Sequence, residues 1–319
     1  MFKNENTKSG LMPATRFNFN IIGNFNKFVL VSIFMLIATI VLSFTQGVGI
    51  DIRFTGGSII TYSYTGEIDL DDIKNIAQEN TGINVSVMES IDRNGNTNFI
   101  LTASGTQNFT NEQYAELTRA FSEKYPDNNL ERLNADSVEA SEGREFFIKC
   151  IVALAFTFVV LVLFIGLRFR KIGGWSAGVM AIAGLLNDVV MVYLAFVIFR
   201  FPLDVNFIAV VLTILGYSLN DTIVVFDRLR ENQDKFGSKI SLPDRANLSI
   251  NQTLNRTVNT SITTVTSMIV VCIVAFVFQV NSILSFAVPM VFGMIMGLYT
   301  SNFIVVSLWV RWRGRKTAK

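Results

Sequence analysis

Six stretches of this chain are each apolar for long enough to cross a bilayer as a helix, and that requirement restricts everything else in the sequence. They lie at roughly 28–46, 147–167, 175–199, 205–226, 261–280 and 284–310, where about 20 residues suffice for a span. The last is long enough to tilt, or to overrun the bilayer at its Trp309 and Trp312 end. Hydrophobic residues make up 50% of the 319 and charged residues only 16%, with a mean hydropathy of +0.43. That balance is too apolar for an ordinary soluble domain. The predicted class is a polytopic α-helical membrane protein with six transmembrane helices.

Charge sets the orientation. Lys3, Lys8, Arg16 and Lys27 precede the first span, and Arg168, Arg170 and Lys171 follow the second. Arg228, Arg230, Lys235, Lys239, Arg245 and Arg256 follow the fourth, and Arg311, Arg313, Arg315, Lys316 and Lys319 end the chain. All four clusters fall on one side of a six-span topology, which the positive-inside rule makes cytoplasmic. Both termini are then inside and residues 47–145 outside, where acidic residues outnumber basic ones by 17 to 7. The first span ends in "LSFTQG" without a small-residue cleavage site, so it is expected to be an uncleaved anchor. Cys150 and Cys272 both fall inside spans and read as free thiols. With no histidine, the chain lacks the usual metal ligand and neutral-pH acid–base group, and it has no P-loop motif. No cofactor, metal or nucleic-acid partner is expected.

Residues 47–145 change from apolar runs to short mixed elements. "IDIRFTGGSIITYSY" (50–64) alternates as a strand should, with Gly56-Gly57 marking a bend or bulge. "DLDDIKNIAQENTG" (69–82) predicts a helix. "NVSVMESI" (84–91) and "TNFILTA" (97–103) flank Asn94-Gly95, a hairpin signal. A helix from about 110 to 124 opens with Thr110 and Gln113 in capping-box spacing. A last strand near 132–138 completes βαββαβ, so one α+β ferredoxin-like extracytoplasmic domain is expected between helices 1 and 2. It either touches a substrate or partner or simply braces the spans.

A polar stripe runs through the apolar spans. "GYSLNDTIVVFDRLREN" (216–232) places Asp221, with Asn220 beside it, where a central Asp costs about 2.5–3.5 kcal/mol. Thr213 and Tyr217 share its helical face. Arg256, Thr260, Thr264 and Ser267 recur at intervals of three and four near the fifth span, so two facing helices could pair Asp221 with Arg256. Asp188 lies mid-span in "GLLNDVVMV". Two readings stay open: a structural ion pair with Thr and Ser as interhelical glue, or a proton relay through Asp221, Arg256 and Asp188. Gly293 and Gly297 predict close helix packing, Pro289 a kink, and Asp227 with Arg230 a local pair. Residues 233–255 read as a short amphipathic connector broken by Pro243.

"GYSLNDTIVVFDRLREN", then "NQTLNRTVNTSITT" (251–264), resembles the signature of the SecF family of bacterial protein-export membrane subunits. "FTGGSIITYSY" (54–64) is similar to that family's Phe-x-Gly-Gly strand. The resemblance covers essentially the whole chain. It implies a homologous six-span SecD-like partner, work alongside the SecYEG channel on a translocating polypeptide, and membership of the resistance–nodulation–division superfamily. By the same resemblance, Asp221 and Arg256 occupy the family's proton-conducting positions. Asp51 stands further from the glycines than is usual there, and Asn187-Asp188 replaces a frequent His-Asp.

The expected organisation is a cytoplasmic segment 1–27, helix 1 at 28–46, the external domain 47–145, helices 2–6 over 146–310 with a connector about 227–260, and a basic tail 311–319. The expected function is a non-enzymatic, multi-pass subunit of the bacterial inner membrane, in contact with lipid, that promotes protein export with the proton motive force. The alternatives are a proton-coupled small-molecule exporter and a structural scaffold.

Overall fold

The structure is a computed structural model that describes residues 15–91, 97–104 and 108–317. The Asn94-Gly95 turn, the lysines of residues 1–14 and Lys319 lie outside the described residues. Helix α1 (Phe25–Gln46) leads through a one-turn helix α2 (Ile52–Thr55) into strand β1 (Gly57–Tyr64). Then come α3 (Leu70–Thr81), β2 (Val85–Ile91), β3 (Thr97–Ser104), α4 (Asn111–Lys124) and β4 (Glu131–Val138). The long helices are α5 (Ala140–Arg168), α6 (Gly174–Ile198), α7 (Val205–Phe236), α8 (Leu242–Val277) and α9 (Asn281–Tyr299). A π-helical turn (Thr300–Val305) joins α9 to α10 (Val306–Thr317). Counting α9 to α10 as one span, six helices among the described residues are long and apolar enough to cross a membrane.

The external domain forms for local reasons. Asp69 caps α3 by accepting from the Asp71 amide at 2.9 Å, and Gly82 closes it in the left-handed region at φ 68°. Both halves of the Thr110–Gln113 capping box are present at the start of α4. The four strands pair antiparallel in the order β2-β3-β1-β4. Ile60, Tyr62 and Tyr64 of β1 point to one face and pack with Phe99, Leu101, Leu117 and Phe121. Each such burial is worth about 1.5–3 kcal/mol. Burial also raises the Tyr64 phenol, helped by its hydrogen bond to Glu89, to about 12.

The expectation of a strand from residue 50 is corrected. Strand pairing starts only at Gly57, because Asp51 accepts from the Arg53 amide at 2.8 Å and caps the α2 turn instead. Gly56 ends that turn at φ 76°, and a Cβ there would overlap the Ala140 backbone, so glycine lets α2 approach the start of α5. The domain is tied down on its other side too. The Asp51 amide donates to the Leu203 carbonyl at 3.1 Å, and the Leu203 amide donates to Gly49 at 2.8 Å. The turn between α6 and α7 is thereby fastened to the segment that joins α1 to α2.

In the bundle, α6 is central and packs against α1, α5, α7 and α9. α1, α5 and α8 turn large apolar side chains outward, including Leu30, Phe44, Phe156 and Phe276, as lipid-facing helices do. A Cβ at Gly184 of α6 would overlap Val305 of the π turn, so that contact requires glycine. A Cβ at Gly293 would lie 2.8 Å from Ile214, and one at Gly297 would lie 3.3 Å from Ser218. Both glycines therefore bring α9 against α7, as the GxxxG spacing predicts.

Two further expectations change. There is no separate amphipathic connector over 233–255, because α7 runs to Phe236 and α8 starts at Leu242. Pro243 sits in the first turn of α8, where it lacks no needed amide, so it begins that helix and does not break one. The α-helix continues through Pro289, and a π turn follows it at Thr300–Val305.

Candidate intramembrane polar site

The π turn follows from an interruption in the sixth apolar run. Thr300, Ser301 and Asn302 are three consecutive polar residues there, and all are fully buried. A π turn inserts an extra residue into the helix and re-aims the side chains around it, a feature that often marks functional sites. Here it directs the Ser301 hydroxyl at α7. Ser301 Oγ lies 3.0 Å from Ser218 Oγ and donates to the Ser218 carbonyl at 2.9 Å. The Thr222 hydroxyl, one turn along α7, donates to Ser301 Oγ at 3.1 Å.

Asp188 of α6 completes the cluster. It is fully buried, and its Oδ2 accepts from the Ser218 hydroxyl at 2.6 Å. Its Oδ1 has no hydrogen bond of good geometry among the described residues, although Thr300 lies near enough to interact with the carboxyl group. The adjacent Asn187 donates to Thr300 Oγ1 at 3.0 Å, holding α6 to the π turn from the same side. Three segments distant in sequence thus meet at one carboxyl group, through hydroxyls that can each either donate or accept.

Asp221 is buried on α7, one residue before Thr222, and its Oδ2 also lacks a partner. The facing-helix expectation holds in part. Tyr217 of α7 donates to Ser261 of α8 at 3.0 Å, so the two helices pack where the stripe predicts. Among the described residues, however, Asp221 and Arg256 form no direct ion pair, although Arg256 is near enough to attract it electrostatically. Arg256 turns outward from the bundle and is exposed, while Thr257 and Ser261 take the buried face of α8.

The hydroxyls expected to act as glue between helices act differently. Thr260 donates to the Arg256 carbonyl at 2.9 Å, and Thr264 to the Thr260 carbonyl at 2.7 Å. Thr213 donates to Ala209 at 2.7 Å. Each satisfies itself on its own helix, as serine and threonine in membrane helices readily do. Thr213 and Asn220 are exposed on the outer face of α7. Of the candidate residues, the structure gathers Asp188, Asp221 and Tyr217 inside the bundle and leaves Arg256, Thr260, Asn220 and Thr213 on its surface, with Thr264 half-buried. Ser218, Thr222 and Ser301 were not anticipated. The polar triplet 300–302 inside an apolar run was the available signal.

Past the fourth apolar run the predicted Asp227–Arg230 pair forms at 3.2 Å, and Asp227 also bonds Arg168 of α5 at 3.2 Å.

A six-span bundle with a small α+β domain and buried carboxyl groups where three helical segments meet defines a polytopic membrane protein with an intramembrane ionisable site. The family model described as "Protein export membrane protein SecD/SecF, C-terminal" matches residues 118–315. The SecF translocase subunit of Sebaldella termitidis is 30% identical, over 89% of this chain and 88% of that protein. The SecDF translocase subunit of Bacillus subtilis is 31% identical over 65% of this chain, but the match spans only 27% of that longer protein. A crystal structure of SecDF from Thermus thermophilus superimposes with a TM-score of 0.76 at 26% identity. That superposition covers 95% of this chain and 40% of the Thermus chain. The chain belongs to the SecD/SecF family of protein-export membrane proteins.

Proposed function

We propose that this chain is a SecF-like auxiliary subunit of the Sec translocase that uses the proton motive force to promote protein export, without catalysing covalent chemistry itself. It sits in the bacterial inner membrane with both termini cytoplasmic and the acidic domain outside, pairs with a SecD-like six-span subunit, and serves polypeptides leaving the SecYEG channel. The observation that carries this reading is the junction of α6, α7 and the π turn at Asp188, with Asp221 beside it. As a carboxylate, Asp188 accepts from Ser218. As an acid it can donate to Ser218, whose hydroxyl then turns from the carboxyl group to Ser301 Oγ, while Thr222 and Ser301 keep their bonds. A proton arriving here therefore changes the bonds that join three helices. The Asp221–Arg256 gap supplies the second element, since a charged Asp221 attracts the arginine and a neutral one releases it.

The fastening of the α6–α7 turn to Gly49 and Asp51 gives such a change a route to the external domain. A small-molecule exporter is the weaker reading, because the cleft at the cytoplasmic ends of α7 and α8 shares no lining residue with the buried carboxyl groups that would couple it to protons.

The test compares Asp221→Asn with wild type in membrane vesicles, measuring export and protein abundance together. The variant is expected to insert normally, since an amide is cheaper than a carboxylate in hydrocarbon. Export should fall to the rate wild type shows once an uncoupler collapses the gradient, while the ATP-driven part persists. An Asp221→Asn, Arg256→Met double variant that exports at the full gradient-stimulated rate would refute the relay.

A further inference from the structure

At the cytoplasmic ends of α7 and α8 is a cleft of about 450 Å³ that the export reading does not use. It lies between the chain just before α1 and the two helices, and Arg16, Arg228, Lys235, Gln252, Asn255 and Phe236 contribute to its lining. Three cationic side chains reach it, and none of its lining residues is acidic. The amides in the lining increase the bias toward donors. Asn255 Oδ1 accepts from Arg16 at 3.1 Å. Gln252 Oε1 accepts from Arg228 Nε at 2.7 Å and from Asn232 at 2.9 Å. An arginine can only donate, so these contacts fix both amides with oxygen toward the protein. The Gln252 and Asn255 NH2 groups are left without a partner among the described residues.

Arg228 gives one arm to Glu231 at 2.6 Å and keeps its Nη2 without a partner among the described residues. Lys235 forms no ion pair among the described residues, and its ammonium is exposed. The cleft thus offers guanidinium, ammonium and amide donors, with the acceptors nearby already used, over an apolar wall at Phe236. Phosphate oxygens suit that set, since arginine binds them as a planar fork and lysine as a point charge. The position matters as well. Arg228, Asn232 and Lys235 of the cleft follow directly on the fourth apolar run, and basic pockets between membrane helices on the cytoplasmic side hold anionic lipid head groups.

We infer that this cleft is a phosphate-binding site, taking either the phosphodiester of an anionic lipid or soluble inorganic phosphate. Arg16 belongs to the chain preceding α1 and Arg228 to α7, so an occupant would join the N-terminal segment to the α7–α8 hairpin.

The test uses the purified full-length protein and an Arg16→Gln, Lys235→Gln double variant. Both side chains are exposed, and neither belongs to the proposed relay. Native mass spectrometry and a spin-label binding assay would measure affinity for phosphatidylglycerol, with phosphatidylcholine as the neutral control and inorganic phosphate as the soluble probe. Phosphatidylglycerol binding roughly 25-fold weaker in the variant, about fivefold for each cation removed, identifies a lipid site. The same loss for inorganic phosphate, with phosphatidylglycerol unaffected, identifies a soluble-anion site. Equal affinity of wild type and variant for both probes, or preference for neither over phosphatidylcholine, overturns the inference.

Discussion

Asp188 shows how little holds a carboxyl group inside this bundle. Its Oδ2 takes a bond of 2.6 Å from Ser218, and beyond that Thr300 lies near enough to interact, while Oδ1 has no bond of good geometry among the described residues. Ser218→Ala would remove that donor and leave a buried acceptor unsatisfied, which costs about 1–3 kcal/mol. The expected result is a lower melting temperature in detergent, with insertion and topology unchanged. A Ser218→Ala, Asp188→Leu double variant replaces both members of the pair with apolar groups and should regain most of that stability. Gradient-driven export should not return with it. A double variant that recovered both would reduce this cluster to a structural clasp. Asp188 was legible in the sequence as a mid-span carboxylate, but its partners were not. Ser218 and Ser301 are more than 80 residues apart, and only the π turn aligns them. The direct pairing of Asp221 with Arg256 does not form, for a related reason. Spacing of three and four places residues on one face of α8, but it does not say which neighbour that face meets.

Local signals decided which elements could be read from the sequence. Caps, apolar runs and strand alternation located all six spans and most of the external domain, because each depends on residues a few positions apart. The segment before α1 has no such pattern and reads as a plain cytoplasmic arm, yet the structure fixes it across α8. Asn247, Asn251 and Asn255 recur every four residues and bond it in succession. Asn247 Oδ1 accepts from the Ile21 and Ile22 amides at 2.9 and 3.0 Å. Asn251 bonds both the amide and the carbonyl of Phe19 at 2.9 Å. Ile21 and Ile22 are then buried against the same core as Trp309. Asn251→Ala should remove two hydrogen bonds, each worth about 0.5–1.5 kcal/mol. Hydrogen exchange followed by mass spectrometry should show faster exchange over residues 16–20, with the spans unchanged. Protection that survives Asn251→Ala and Asn247→Ala together would show that packing of the two isoleucines alone holds the strap.

At the scale of the whole molecule, the charge asymmetry and the exposed polar surface make separate demands. The first is orientation: a single cysteine at Glu79 of α3, in a background without Cys150 and Cys272, should react with an impermeant maleimide only from the outer side. Labelling from the cytoplasm alone would invert the topology. The second demand is cover. Threonines on the outer faces of α7 and α8 bond their own backbones and can face lipid, but Asn220, Arg256 and Asn259 are exposed without side-chain partners among the described residues. An exposed amide inside the fourth span, with an unpaired arginine and a second amide next to the start of the fifth, is costly against lipid, so this face calls for a protein surface. The opposite side of the bundle needs none, since α5 presents residues such as Val152 and Phe156 that suit lipid. The proposed SecD-like partner therefore belongs against α7 and α8. In the same cysteine-free background, Asn220→Cys and Asn259→Cys should each crosslink to that subunit through a short thiol-reactive linker in native membranes. Val152→Cys, which is 60% exposed, should not. Crosslinking from Val152→Cys as strong as from Asn220→Cys would place the partner elsewhere, and products containing only two copies of this chain would mean that the face is covered by self-association.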